Sequence, residues 1–146
     1  MIKLKINWNQ NMKFSSSNDN HTVVMDAKSP IGRGDGFTPK ELVVMGIAGC
    51  TGMDVAAWMK KHKQIMEKFE ISTEVETTSS GHPSVFTKAL LTFQVWGAVE
   101  AQRLIEAVKL SQTQYCGVSA MLVKAFPIHY RIFLNDEEIG SGQSNF

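Results

Sequence analysis

From Thr38 to about Lys61 the chain reads TPKELVVMGIAGCTGMDVAAWMKK, an almost unbroken apolar run. Thr38, Pro39 and Glu41 form the pattern of a capping box, with threonine as N-cap, proline at the first helical position and glutamate able to reach back to the cap's amide. A helix of roughly 24 residues starts here, and at 1.5 Å per residue it extends about 35 Å, the diameter of a small domain. Because it is apolar on nearly every face, it must be enclosed by protein. Gly46, Gly49 and Gly52 recur every third residue within it. Each costs about 1 kcal/mol against alanine in a helix, so a close approach by another backbone, most simply a second helix, is expected at these positions.

Elsewhere the periodicity is two. Ile2, Leu4, Ile6 and Trp8 alternate with polar residues, which predicts a half-buried strand, and the polar stretch at 15–20 predicts a turn into a second strand, HTVVMDA, as a hairpin. SPIGRGDGF holds Pro30 and three glycines and must be an irregular loop. After the helix, Phe69, Ile71, Thr73 and Val75 share one face of a strand that pairs with FTKALLTFQVW through SSGHPS. Residues 97–112 carry an amphipathic stripe of Val99, Leu104, Ile105, Val108 and Leu110, QYCGVSAMLVKA makes a short helix, and PIHYRIFLN closes with a strand. The order is α+β, with a long central apolar helix and further helices on one face of antiparallel sheets.

The 146 residues suit one domain with one core, and 15 basic against 14 acidic residues leave no footprint for nucleic acid. The alternating N-terminus is neither a signal peptide nor a membrane span, so no membrane partner is expected and the location is read as cytoplasmic. His21, His62, His82 and His129 are scattered and read as surface or strand residues. Cys50 and Cys116 have no His or Cys two to four positions away, so neither metal nor cofactor is expected. On their own these thiols fit either small buried filler or redox chemistry. Cys116 precedes GVSAML, a helix N-terminus that favours the thiolate; Cys50 lies mid-helix and needs a nearby cation to become one. Asp54, one turn after Cys50, reads as a structural hydrogen-bond acceptor and not a base.

GFTPKELVVMGIAGCTGMD, followed 66 residues after Cys50 by QYCGVSAML, resembles the OsmC/Ohr family of thiol-dependent hydroperoxide reductases, most closely its YhfA-like branch. The resemblance implies a single OsmC-like domain over 1–146 and an intertwined homodimer whose long helices pack together at a shared active site. It also implies a Cys50 nucleophile, oxidised by a small hydroperoxide to a sulfenic acid, a resolving Cys116, and an external dithiol reductant.

Two features depart from the family's peroxidases. Their catalytic glutamate lies ten positions before the first cysteine; here that position is Lys40, and Glu41 is one residue on. Their hairpin arginine is also absent, leaving Arg33, in the glycine-rich loop, as candidate thiolate- and peroxide-polarising cation with Glu41 beside it. An alternative reading is a non-catalytic dimer that binds a small lipophilic or thiol-reactive molecule in its interface cleft.

Overall fold

The computed structural model describes all 146 residues, which divide into two compact units, Met1–Met45 and Gly46–Phe146, with the division falling inside the long helix. The N-terminal unit is a three-stranded antiparallel meander of β1 (Ile6–Trp8), β2 (Phe14–Asn18) and β3 (His21–Met25). Two expectations change here. The first strand contracts to three residues, and the serine-rich stretch read as a turn is itself β2, its Ser17 hydroxyl hydrogen-bonded to Thr22 across the sheet at 2.8 Å. Two turns flank it instead: Gln10 and Asn11 take left-handed φ of 78° and 51°, and Asp19 takes 31°. Ile6, Trp8, Phe14 and Val23 all remain exposed on this sheet.

The glycine-rich loop that follows is organised by Asp26. This carboxylate, 3% exposed, accepts hydrogen bonds from the amides of Ala27, Arg33 and Asp35. Those amides, that of Asp35 foremost, hold its carboxyl below the usual range. Gly32 is required by crowding, since a Cβ there would collide with the Ala27 carbonyl. Helix α1 (Pro39–Lys61) then opens on the expected capping box: the Thr38 amide donates to Glu41 Oε2 at 2.8 Å, and the Glu41 amide donates to Thr38 Oγ1 at 3.3 Å.

The C-terminal unit is a four-stranded sheet in the order β4-β5-β6-β7, from β4 (Lys68–Thr77), β5 (Phe86–Trp96), β6 (Ile128–Leu134) and β7 (Glu137–Gln143). β4 and β5 form the expected antiparallel hairpin, Phe69 opposite Val95 and Ile71 opposite Phe93. β5 and β6 run parallel, which requires a crossover, and residues 97–127 supply it as α2 (Ala101–Leu110), a π-helical turn (Ser111–Tyr115) and α3 (Gly117–Leu122). β7 is an element the sequence reading lacked. It follows β6 through Asn135 and Asp136, both at positive φ, and Gly142 leaves room for the Tyr130 ring.

One core joins the helices to the sheet. Leu91, Phe93 and Val95 of β5 and Ile128 and Ile132 of β6 are buried with Leu104, Ala107 and Val108 of α2 and with Ile47, Val55 and Met59 of α1. The α1 contribution, with Thr51, is a single i, i+4 stripe. The opposite face of the helix is open: a Cβ at Gly46 or Gly49 would meet nothing within 4 Å, Met53 is 75% exposed, and Ala56 and Ala57 are exposed too. Only Gly52 is approached, by Ile71. By length and hydropathy α1 could cross a membrane, but its buried stripe is part of this core.

Candidate functional site

The buried stripe of α1 is broken by one polar residue, Thr51, and the two residues that flank it in space carry the chemistry. Cys50 is half-buried, and Asp54 lies one helical turn further on. The third group arrives from the crossover. At Ser111 the α2 helix widens into a π-helical turn, a device that re-aims side chains and recurs at functional sites. It ends at Cys116, whose amide donates to the Ser111 carbonyl at 3.0 Å. Cys50 Sγ, Cys116 Sγ and an Asp54 carboxylate oxygen all lie within 4.8 Å of one another. Residues 66 positions apart are thereby brought to within a side-chain rotation of contact.

Beneath the thiols lies a hydrogen-bonded chain of buried polar side chains. Ser144 Oγ donates to Gln112 Oε1, Gln112 Nε2 donates to Thr51 Oγ1 at 2.8 Å, Thr51 and Ser111 hydroxyls are 2.7 Å apart, and Ser111 Oγ donates to Asp54 Oδ2 at 2.8 Å. Since the Ser111 proton is spent on the carboxylate, Thr51 must donate to Ser111. Every donor in the chain therefore points toward Asp54. Thr51, Ser111 and Gln112 are fully buried, where an unpaired polar group would be costly, so the arrangement fixes α1 against the segment that carries Cys116.

Cys116 is the N-cap of α3, and its Sγ accepts the Ser119 amide at 3.3 Å. The cap geometry matches the sequence expectation; its expected effect on acidity does not. Cys116 is 0% exposed, and burial pushes its thiol up to about 11, with the neighbouring Cys50 adding to the rise and the Ser119 hydroxyl and amide opposing it. A six-residue helix has too short a dipole to offset that loss of hydration.

Asp54 is the hydrogen-bond acceptor it was read to be. Glu41 and Arg33 belong to the N-terminal unit. Glu41 has both oxygens engaged, Oε2 by the Thr38 amide and Oε1 by Lys28 at 2.7 Å, which together hold its carboxyl down at about 2, Lys28 contributing most. The Arg33 side chain is exposed beside a small polar hollow that Lys13, Asp26 and Asp35 also line. Of the histidines, His62 departs from the surface reading: it packs against Trp58 with ring centroids 4.5 Å apart, and its Nε2 is buried. Sequence reasoning missed Thr51, Ser111, Gln112 and Ser144. The available signal was the uncharged polar run SQTQ at the end of an amphipathic helix.

The model of the OsmC-like protein family matches residues 32–131. Protein YhfA of Escherichia coli K12 is 31% identical over 130 residues, covering 87% of this chain and 93% of that protein. Among solved structures, an OsmC-like protein from Mycoplasma pneumoniae superposes with a TM-score of 0.78 at 13% identity over 90% of this chain and 95% of that one. An organic hydroperoxide resistance protein from Legionella pneumophila does so with a TM-score of 0.63 at 15% identity, over 90% and 94%.

Proposed function

The chain belongs to the OsmC family, and from that premise we propose that it is a thiol-dependent peroxidase of organic or inorganic hydroperoxides, with Cys50 as nucleophile and Cys116 as resolving thiol. The observation that carries the reading is the pairing of a half-buried thiol with a fully buried one whose sulfurs lie within 4.8 Å. In the proposed reaction the Cys50 thiolate attacks the distal peroxide oxygen, the O–O bond breaks, and the alkoxide takes a proton and leaves as alcohol. The resulting sulfenic acid condenses with the Cys116 thiol to a disulfide and water, and an external dithiol returns both thiols. A redox role accords with the hydroperoxide-resistance protein among the structural neighbours. Arg33 is the candidate cation for the thiolate and peroxide; Glu41 is the lesser candidate, because both its oxygens are already engaged.

The proposed active form is a homodimer. What supports this is the open apolar face of α1, with Gly46 and Gly49 able to admit a second backbone, and the exposed apolar side chains of the N-terminal sheet.

Lys40 at the family's glutamate position favours a second reading, a non-catalytic dimer holding a small lipophilic or thiol-reactive molecule in its interface cleft. Stopped-flow mixing of the reduced protein with cumene hydroperoxide and hydrogen peroxide, with disulfide formation followed by mass, separates the two. Rapid loss of Cys50 closing to a Cys50–Cys116 disulfide, abolished in Cys50→Ser, is expected of the peroxidase. Reaction no faster than that of a free thiol would overturn it in favour of the binding module.

A further inference from the structure

The two thiols and Asp54 satisfy a second chemistry that peroxide reduction does not require. We propose that Cys50 Sγ, an Asp54 carboxylate oxygen and Cys116 Sγ form a three-ligand site for a thiophilic divalent cation of the zinc class, occupied when the thiols are reduced. Cys50 and Asp54 are four residues apart on α1, so their side chains leave the same helical face one above the other. Cys116 is delivered from across the core, and the three donor atoms lie within 4.8 Å of one another. Zinc–sulfur bonds of about 2.3 Å at tetrahedral angles hold two sulfurs about 3.8 Å apart, so inward rotation of the side chains by about an ångström closes the set.

The surroundings match what such a site needs. A ligating carboxylate is normally held by a hydrogen bond from a neighbouring group, and Ser111 Oγ donates to Asp54 Oδ2 at 2.8 Å, at the end of a chain whose donors all point the same way. A ligating thiolate is stabilised by an amide donor, and the Ser119 amide supplies it to Cys116 Sγ. The Ser119 hydroxyl beside that amide is buried with no oxygen or nitrogen partner. Three protein ligands leave the fourth tetrahedral position to water or another small ligand. Binding displaces two thiol protons, and the cation, two thiolates and one carboxylate carry a net charge of −1. Oxidation of the two thiols to a disulfide by a hydroperoxide, which is reduced to alcohol and water as in the proposed function, removes both sulfur ligands and releases the metal. The site escaped the sequence criterion because that criterion sought His or Cys close to a Cys, whereas the second ligand here is an aspartate and the third lies 66 residues away.

The test is titration of the reduced, full-length protein with Co²⁺ in the absence of peroxide, read by thiolate-to-cobalt charge-transfer and tetrahedral ligand-field absorption, followed by competition with Zn²⁺. One Co²⁺ per chain with both spectral features, displaced by Zn²⁺, is expected. Cys50→Ser and Cys116→Ser should each lose most of the charge-transfer intensity. Asp54→Asn, which keeps an acceptor for Ser111, should weaken the metal at least tenfold while leaving far-ultraviolet circular dichroism unchanged. No charge-transfer band in the parent, or equal affinity in Asp54→Asn, overturns the assignment. Because no peroxide is present, its failure leaves the peroxidase reading standing, and slow peroxide reduction leaves the metal site standing.

Discussion

Replacing Thr51 by valine tests whether the buried polar chain holds the site together. Valine has nearly the same shape, so no cavity opens and the change removes only the hydroxyl. Gln112 Nε2 then loses its acceptor at 2.8 Å and Ser111 loses the donor at 2.7 Å, both in a fully buried setting. Leaving one buried donor unmade costs about 1–3 kcal/mol, and losing the second bond adds about 0.5–1.5 kcal/mol, giving about 1.5–4.5 kcal/mol in all. With a urea dependence of about 1.5 kcal/mol per molar, the unfolding midpoint should fall by roughly 1–3 M at matched protein concentration.

Two companion variants make the reasoning refutable. Thr51→Ser keeps the hydroxyl and should lose only about 1 kcal/mol, from one buried methyl. Thr51→Val combined with Gln112→Leu removes the orphaned donor along with its acceptor, so the pair should cost less than the two single changes summed, by about 1–2 kcal/mol. A Thr51→Val midpoint within 0.3 M of the parent's, or strictly additive losses, would mean that the hydrogen bonds are not what anchors α1 to the Ser111–Cys116 segment. The same variant should also slow disulfide closure after peroxide addition, since it loosens the element that presents Cys116.

Glu41 carries a pH signature. Its carboxyl is held at about 2 against an ordinary 4.5, so it contributes stability above about pH 4.5 that is lost as pH falls toward 2. Melting temperatures of the parent and Glu41→Gln should therefore differ at pH 6 and converge near pH 2; a difference that persists at pH 2 refutes the contribution of the ionised carboxylate. Gly32→Ala should destabilise by about 1–3 kcal/mol, because its Cβ would occupy the space of the Ala27 carbonyl, and chemical denaturation measures it. Limited alkylation of the native reduced protein should modify Cys50 well before the fully buried Cys116, with peptide mass mapping as the readout. Met53→Glu, on the open face of α1, should shift the mass measured by light scattering toward the monomer while leaving circular dichroism intact; an unchanged mass would place any dimer contact elsewhere.

The parts of the molecule that were legible in the sequence are those where one local rule decides. The capping box set the start of α1, period-two alternation set β4 and β5, and the apolar stripe set α2. Where polar residues do structural work inside an element, the rules mislead. Ser15, Ser16 and Ser17 read as a turn because serine suits turns, but an exposed strand tolerates them and Ser17 finds a partner in Thr22. β7 has two glycines and little apolar pattern, although Asn135-Asp136 is a two-residue turn signal of the usual kind. The cysteine pair was legible through the family's two motifs. Its polar foundation was not, because the π-helical turn that buries Ser111 and Gln112 leaves no periodicity to read.

The acidity expected of Cys116 failed for a reason that bears on the proposed reaction. A helix N-terminus contributes its effect at the surface, and here it is set against complete burial. The outcome is a protonated thiol at neutral pH, which is a weak target for bulk peroxide and so is shielded from further oxidation. In the proposed reaction Cys116 attacks the Cys50 sulfenic acid within 4.8 Å at high effective concentration, the sulfenic oxygen leaves as water with the thiol's own proton, and only the half-buried sulfur meets the oxidant. Interchanging the two environments would expose the resolving thiol to overoxidation and hide the nucleophile. The division between an accessible and a buried cysteine is thus the feature of this site most directly tied to the proposed peroxide turnover.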